Sequence, residues 1–162
     1  MTVALTDEEI AALLRERKAL PPDYRTRIEA RPKRGHKERE LDVQGDAGNR
    51  FRLVIRQGAV DPFDFSIILM YCPAGTNQVF RLRRYNGRSH EHTNRIEGET
   101  FYAFHIHMAT ARYQESGMRE DSYAEASDRF ADVAGAIDCM LADCGFDRTN
   151  LQTTLFDEGA AP

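Results

Sequence analysis

The sequence lacks several features by which a protein class is often recognised. It has no tryptophan, only three cysteines, and no hydrophobic run near the roughly 18–20 residues that a membrane span needs. Its first residues lack the basic start and the apolar stretch of a secretory signal. An odd cysteine count in such a chain favours reduced thiols, so we expect a cytoplasmic protein without a membrane partner.

The common catalytic motifs are missing as well. The sequence contains no P-loop, no GxGxxG, no GxSxG and no HExxH. Their absence removes sequence support for a P-loop NTPase, a dinucleotide-dependent enzyme, an α/β-hydrolase or an HExxH zinc protease.

The composition is that of a folded globular chain. The 162 residues are 41% hydrophobic and 30% charged, which excludes wholesale disorder and predicts one domain with a substantial core. We expect this domain over residues 1–150 and a flexible tail over residues 151–162. The net charge of −4 conceals an asymmetry, because residues 1–112 hold 19 Lys/Arg and 15 Asp/Glu, whereas residues 113–162 hold 3 and 11. A nucleic-acid partner is therefore not excluded by the total.

Two helices are predicted, one near each end of the chain. Thr6 and Glu9 have the spacing of a capping box, and the Pro21–Pro22 pair is predicted to end the first helix. An apolar stripe at helical spacing predicts the second helix over residues 128–144.

Between the helices, apolar and polar residues alternate, which predicts strands. The strand segments are residues 50–56, 63–71, 78–85, 88–93 and 102–109. Residues 23–40 are charged and almost free of aliphatic side chains, so they are predicted to form a linker that runs into a first strand and is the best candidate for a mobile segment. We therefore expect an α+β fold, in which an antiparallel sheet of about five strands packs on an N-terminal and a C-terminal helix.

The Asn86–Gly87 dipeptide predicts a tight hairpin, because a type I′ turn needs positive φ at both central residues. With Phe80 and Leu82 facing the core, the hairpin register turns six side chains to the opposite face. They are Arg81, Arg83, Tyr85, Arg88, His90 and His92. His105 and His107 are predicted to share that face.

This face is suited to phosphodiester recognition. Arginine forms charge-assisted forks with phosphate, and histidine titrates near neutral pH. The side chains assigned to phosphate or nucleic-acid binding are Arg81, Arg83, Tyr85, Arg88, His90, Arg112 and Tyr113. We expect binding of RNA or another phosphate-rich ligand. The chain is also a candidate toxin-like endoribonuclease that needs no cofactor, with His92, His105 and His107 as its catalytic acid and base.

Three other interpretations remain open. Two His-x-His pairs, from His90, His92, His105 and His107, could bind a metal, although nearby arginines disfavour a cation. A non-enzymatic protein could inhibit or regulate a nucleic-acid-targeting complex in phage–host conflict, with its acidic C-terminal helix as the surface for a protein partner. The cluster could also be an ordinary solvated surface.

Two segments, FRLRRYNGRSHEHTN (80–94) and GETFYAFHIHMATARYQ (98–114), resemble an uncharacterised prokaryotic family. Its members share an LTDEE-type opening helix, a His-Thr-Asn element and a His-x-His element. The resemblance is carried by His92, Thr93, Asn94, Gly98, His105 and His107. No activity is established for that family. The resemblance therefore implies a bacterial origin and a mobile-element or defence context, and no catalytic role for any residue.

Overall fold

A computed structural model of the chain describes residues 3–24, 29–33 and 36–148, so the tail predicted over 151–162 lies outside the described residues. Three helices have described bounds: α1 Asp7–Arg15, α2 Ala111–Glu115 and α3 Val133–Asp143. The strands are β1 Lys18–Ala19, β2 Glu29–Lys33, β3 His36–Gln44, β4 Arg50–Gly58, β5 Phe65–Cys72, β6 Phe80–Asn86, β7 His92–Asn94, β8 Glu99–Phe101, β9 His105–Met108, β10 Tyr123–Ala126 and β11 Phe146–Asp147.

The main sheet has seven strands in the order β10-β9-β6-β5-β4-β3-β2, and all its neighbours are antiparallel. A short hairpin, β7–β8, and a parallel pair, β1–β11, lie outside it. The α+β class with an antiparallel sheet is confirmed. The sheet is larger than the predicted five strands. Strands β2, β3 and β10 were not predicted, because their sequences show no clear hydrophobic alternation.

The predicted linker over residues 23–40 is wrong where β2 and the start of β3 are formed. Charged residues are tolerated in β3 because they can pair across strands. Glu38 lies opposite Arg56 on β4, and its carboxylate is 3.4 Å from the Arg56 guanidinium. A run of charges is therefore compatible with a strand at this position.

The first helix begins as predicted and ends earlier. Thr6 accepts a hydrogen bond from the Glu9 amide while the Glu9 side chain accepts one from the Thr6 amide, each at 3.1 Å. The helix ends at Arg15 rather than at the Pro21–Pro22 pair.

The second predicted helix starts later than residue 128. Its N-cap is Asp132, which accepts a hydrogen bond of 2.8 Å from the Gly135 amide. The helix therefore occupies Val133–Asp143 rather than 128–144.

One face of the sheet, here called the core face, belongs to a single buried hydrophobic cluster. This cluster also includes Ile10 and Leu13 of α1 and Ala136, Met140 and Leu141 of α3. The opposite face is called the outer face. Among the described residues, no helix combines the length and the apolar character needed to cross a bilayer.

Candidate metal centre

The predicted Asn86–Gly87 hairpin is wrong. Strand β6 continues through Asn86 between β5 and β9, and β7 pairs with β8 instead of returning along β6. The Gly87 amide donates to the Phe65 carbonyl at 2.9 Å. A Cβ atom on Gly87 would overlap the carbonyl oxygen of Phe63. Glycine is therefore needed here for a close backbone approach rather than for a turn.

A β-bulge then changes which side chains of β6 reach the outer face. Met70 of β5 pairs with Arg81, but the neighbouring Leu69 pairs with Arg83, so Leu82 is the extra residue. Because paired residues share a face, Arg81 stays on the outer face and Arg83 lies on the core face beside Leu69. The predicted orientation of Arg83 is wrong for this reason.

The same register shift buries Tyr85 on the core face. Tyr85 lies opposite Ile67, is fully buried, and donates a 2.6 Å hydrogen bond to Asp143 of α3. It cannot stack on a nucleobase from this position. Arg84 takes the outer position instead, directly opposite His107 of β9.

Three of the predicted histidines converge on the outer face and form what we call the histidine cluster: His92, His105 and His107. The ring centroids are 4.8 Å apart for His92 and His107, 5.0 Å for His105 and His107, and 5.4 Å for His92 and His105. Each residue offers a ring nitrogen within 4.8 Å of the others. His105 and His107 come from alternate positions of β9, whereas His92 comes from the β7–β8 hairpin.

The two histidines of β9 are held in defined tautomers by backbone carbonyls. His105 Nδ1 lies 2.7 Å from the Ala103 carbonyl, and His107 Nδ1 lies 2.7 Å from the Asp121 carbonyl. A carbonyl can only accept, so both Nδ1 atoms must carry the hydrogen and both Nε2 atoms keep a lone pair. The Nε2 of His105 is buried without a hydrogen-bond partner. An unpartnered buried lone pair of this kind is available to a ligand.

His92 is oriented by Asn94. The Asn94 amide bonds both backbone groups of Ala124, accepting at 2.9 Å through Oδ1 and donating at 2.7 Å through Nδ2. These bonds settle which end of the amide is oxygen. Asn94 Oδ1 is also 2.8 Å from His92 Nε2, so this nitrogen donates and His92 Nδ1 keeps the lone pair.

Burial keeps the β9 rings uncharged. His105 is fully buried and His107 is 3% exposed. Burial is the main cause that lowers the pKa of His105 to about 4 and that of His107 to about 2, and the positive charge of Arg84 contributes to both shifts. Both imidazoles are therefore neutral at pH 7, the form that binds a metal.

His90 lies at the margin of the cluster. It is exposed, its ring centroid is 6.0 Å from that of His105, and its Nδ1 is 3.2 Å from the Ser89 hydroxyl. His90 lines the same cavity as His92 and His107. It is placed to contact a ligand there.

This cavity, called the histidine cavity, has a volume of about 410 Å³. Three arginines that sequence reasoning did not select line it: Arg84, Arg95 and Arg119. Arg84 and Arg119 both pair with the fully buried carboxylate of Asp121, at 3.1 and 3.2 Å. Arg95 is exposed. The cavity therefore joins a set of imidazoles to a set of guanidinium groups.

The other predicted ligand-binding residues lie elsewhere. Arg112 pairs with Glu97 at 2.7 Å and lies over the Tyr123 ring, with 4.5 Å between guanidinium carbon and ring centroid. Tyr113 is fully buried and lines the cavity, but its hydroxyl donates to Glu97 at 2.6 Å. Arg88 lies over the Phe63 ring at 5.3 Å. Arg81, Arg83, Arg88 and Arg112 are not among the residues that line the histidine cavity.

The acidic side chains of α3, predicted as a surface for a protein partner, have partners within the chain. Asp138 pairs with Arg148 at 3.1 Å and Asp143 pairs with Arg129 at 2.9 Å. A basic partner protein would have to compete with these arginines.

Sequence reasoning missed Asn94 as the residue that orients His92, and it missed Arg84. The His92-x-Asn94 spacing was an available signal, since alternate residues of a strand share a face. Arg84 had no such signal, because only the bulge moves it to the outer face.

Comparisons with known proteins find no relative from which a function could be transferred. No family model matches the chain, and searches of curated proteins and of solved structures return no match. The resemblance to an uncharacterised prokaryotic family stays a prediction.

Proposed function

We propose that this protein binds a divalent transition metal, zinc in the first instance, through His92, His105 and His107. The observation that carries the proposal is the convergence of three imidazoles whose second ring nitrogens are each held by an acceptor, the Ala103 and Asp121 carbonyls and the Asn94 amide. Acceptors of this kind are the usual outer partners of metal-binding histidines, where they set the tautomer and the ring orientation.

The coordination geometry is compatible with zinc after a small contraction. Nitrogens bound tetrahedrally at 2.0–2.1 Å are about 3.3 Å apart, whereas the cluster nitrogens are up to 4.8 Å apart. His92 is only half-buried and belongs to a short hairpin, so it is the ligand most able to move. A three-histidine set leaves a further coordination position open, as in catalytic rather than structural zinc sites.

The positive charge of Arg84 does not prevent cation binding. Its Nε lies 3.1 Å from the buried carboxylate of Asp121, which offsets part of the charge next to the cluster. The arginine that faces His107 is therefore paired before a metal enters.

A metal-independent ribonuclease is the second candidate. It is favoured by the arginines that share the cavity with His90 and His92. RNA supplies its own 2′-hydroxyl nucleophile, so a base, an acid and phosphate-binding cations would suffice. RNA cleavage by the chelator-treated protein, lost in His92→Gln, would favour this candidate over the metal proposal.

Metal content tests the proposal directly. The chelator-treated protein is dialysed against zinc and analysed for bound metal, with His92→Gln and His107→Gln as site variants. His36→Gln is the matched control, because His36 lies on β3, several strands away from β9. We expect about one zinc per chain in the wild type and in His36→Gln, and little in the site variants.

Circular dichroism shows whether each variant folds. If the buried His107→Gln does not fold, His92→Gln still tests the proposal, because His92 is only half-buried. A wild-type zinc content no higher than that of folded His92→Gln would contradict the proposal.

A further inference from the structure

We infer that the histidine cavity binds a small dianionic ligand, a phosphate monoester, through Arg84, Arg95 and Arg119, with the phosphate facing the metal position. The placement next to a metal rests on the proposed function. The arginine contacts do not rest on it, because the three arginines already line the cavity through their own positions in the fold.

The charge of the cavity wall is the first observation. Three guanidinium groups line the cavity, and Asp121 is the one carboxylate among its lining residues. Arg84 and Arg119 share that carboxylate, so their combined charge is only half compensated. Arg95 adds a further positive charge at the exposed side. The wall therefore carries an excess of two positive charges, which matches a dianion.

Asp121 connects the arginines to the histidine cluster. Its carboxylate is fully buried between Arg84 and Arg119, and its backbone carbonyl accepts from His107 Nδ1 at 2.7 Å. One residue thus orients both a predicted metal ligand and two anion-binding groups. Guanidinium groups held in this way offer forks of hydrogen-bond donors at little entropic cost, which is the arrangement that phosphate recognition uses.

The size and the remaining lining favour a small organic phosphate. A volume of about 410 Å³ lies in the range of small-molecule sites. Met118, which is partly exposed, supplies apolar surface for the organic part of a ligand, and Ser122 adds a hydroxyl. A free inorganic anion would leave much of this surface unused.

A long nucleic acid fits the surroundings less well. Glu120 follows Arg119 in the chain and accepts from the Arg81 amide, and Glu97 holds Arg112. Each carboxylate is adjacent to a residue of the cavity wall, because Glu120 lies between Arg119 and Asp121 in the chain and Glu97 accepts from Tyr113, so negative charge borders the positive wall. Nucleic-acid binding normally needs a continuous basic stripe.

Calorimetric titration with phenyl phosphate tests the inference in the zinc-loaded and the zinc-free protein. Benzoate, a monoanion of similar shape, and a short RNA oligonucleotide are the comparison ligands. The site variants are Arg95→Ala and Arg119→Ala. The control is Arg50→Ala, because Arg50 is an exposed arginine of β4 and is only loosely paired with Asp42 at 3.9 Å.

We expect each site variant to weaken phenyl phosphate binding by about tenfold, the effect of losing one charge-assisted hydrogen bond, and Arg50→Ala to leave it unchanged. Equal affinities in all variants would overturn the inference. Tighter binding of benzoate or of the RNA would overturn the ligand class.

The two proposals fail separately. Zinc binding with phosphate affinity that is independent of Arg95 and Arg119 would overturn only this inference. Arginine-dependent phosphate binding by a protein that takes up no zinc would support the arginine site and overturn the metal proposal.

Discussion

Asn94 Oδ1 lies 2.8 Å from His92 Nε2 while its amide bonds both backbone groups of Ala124. Ala124 belongs to the edge strand β10 and is the residue paired with His107. The Asn94 amide therefore hydrogen-bonds the backbone of an edge strand. In doing so it holds the β7–β8 hairpin against the sheet and brings His92 next to His107. The position of His92 in the histidine cluster therefore rests on this one buried side chain.

Replacing Asn94 with alanine should weaken zinc binding. Loss of the acceptor frees the His92 ring, and outer partners of this kind typically contribute 10- to 100-fold to metal affinity. We expect a loss of about tenfold or more, measured by competition with a chromophoric chelator. The control is Thr93→Ala on the same hairpin, because Thr93 is exposed and bonds only Thr100 across it. Equal zinc affinities in the two variants would disprove the positioning role of Asn94.

Lys18 should be a major contributor to stability. Its ammonium group is fully buried and donates at 2.8 Å to the carbonyls of Leu13, Glu16 and Cys144, at the C-terminal ends of α1 and α3. Lys18→Met leaves these carbonyls without a donor, at about 1–3 kcal/mol for each unsatisfied group and less where water enters. We expect a loss of about 3 kcal/mol in urea unfolding. The exposed Lys37→Met should change the free energy of unfolding by less than about 0.5 kcal/mol.

The contribution of Lys18 should also depend on pH. Burial lowers its pKa from 10.5 to about 8, so between these values the unfolded chain binds more protons than the folded one. The free energy of unfolding then rises with pH through that window. The wild type should gain up to about 3 kcal/mol relative to Lys18→Met between pH 8 and pH 10.5. If the difference in free energy of unfolding between the wild type and Lys18→Met stays constant over this range, the three carbonyls fully replace the hydration of the ammonium group and its pKa is not lowered.

Tyr85→Phe should lower stability at neutral pH and make stability less dependent on acid. Burial acts to raise the pKa of Asp143, but hydrogen bonds from Arg129 and Tyr85 outweigh it and the pKa is lowered. A lowered carboxyl pKa stabilises the fold above the ordinary value near 4, and this stabilisation is lost as the pH falls through the lowered pKa. We expect Tyr85→Phe to cost about 1–2 kcal/mol at pH 7, since a hydrogen bond to a charged group is removed.

Chemical unfolding at a series of pH values checks this expectation. The difference between the wild type and Tyr85→Phe should shrink below pH 4. A difference of the same size at pH 3 and pH 7 would show that the effect of Tyr85 is packing alone.

Local pattern in the sequence determined those features that depend on neighbouring residues. The capping box at Thr6, the alternation of β4 and β5, and the outward orientation of His105 and His107 follow from periods of 3.6 and 2. The α+β class followed from the same patterns.

Tertiary structure alone decided which side chains meet at the site. One extra residue at Leu82 exchanges Arg83 for Arg84 on the outer face, because a shift of one position reverses every later side chain of a strand. Local propensity predicted a turn at Asn86–Gly87, but pairing with β5 and β9 carries the strand onward through Asn86. The bond that positions His92 in the cluster joins Asn94 and Ala124, which are 30 residues apart, and contacts at that separation leave no periodic trace in the chain.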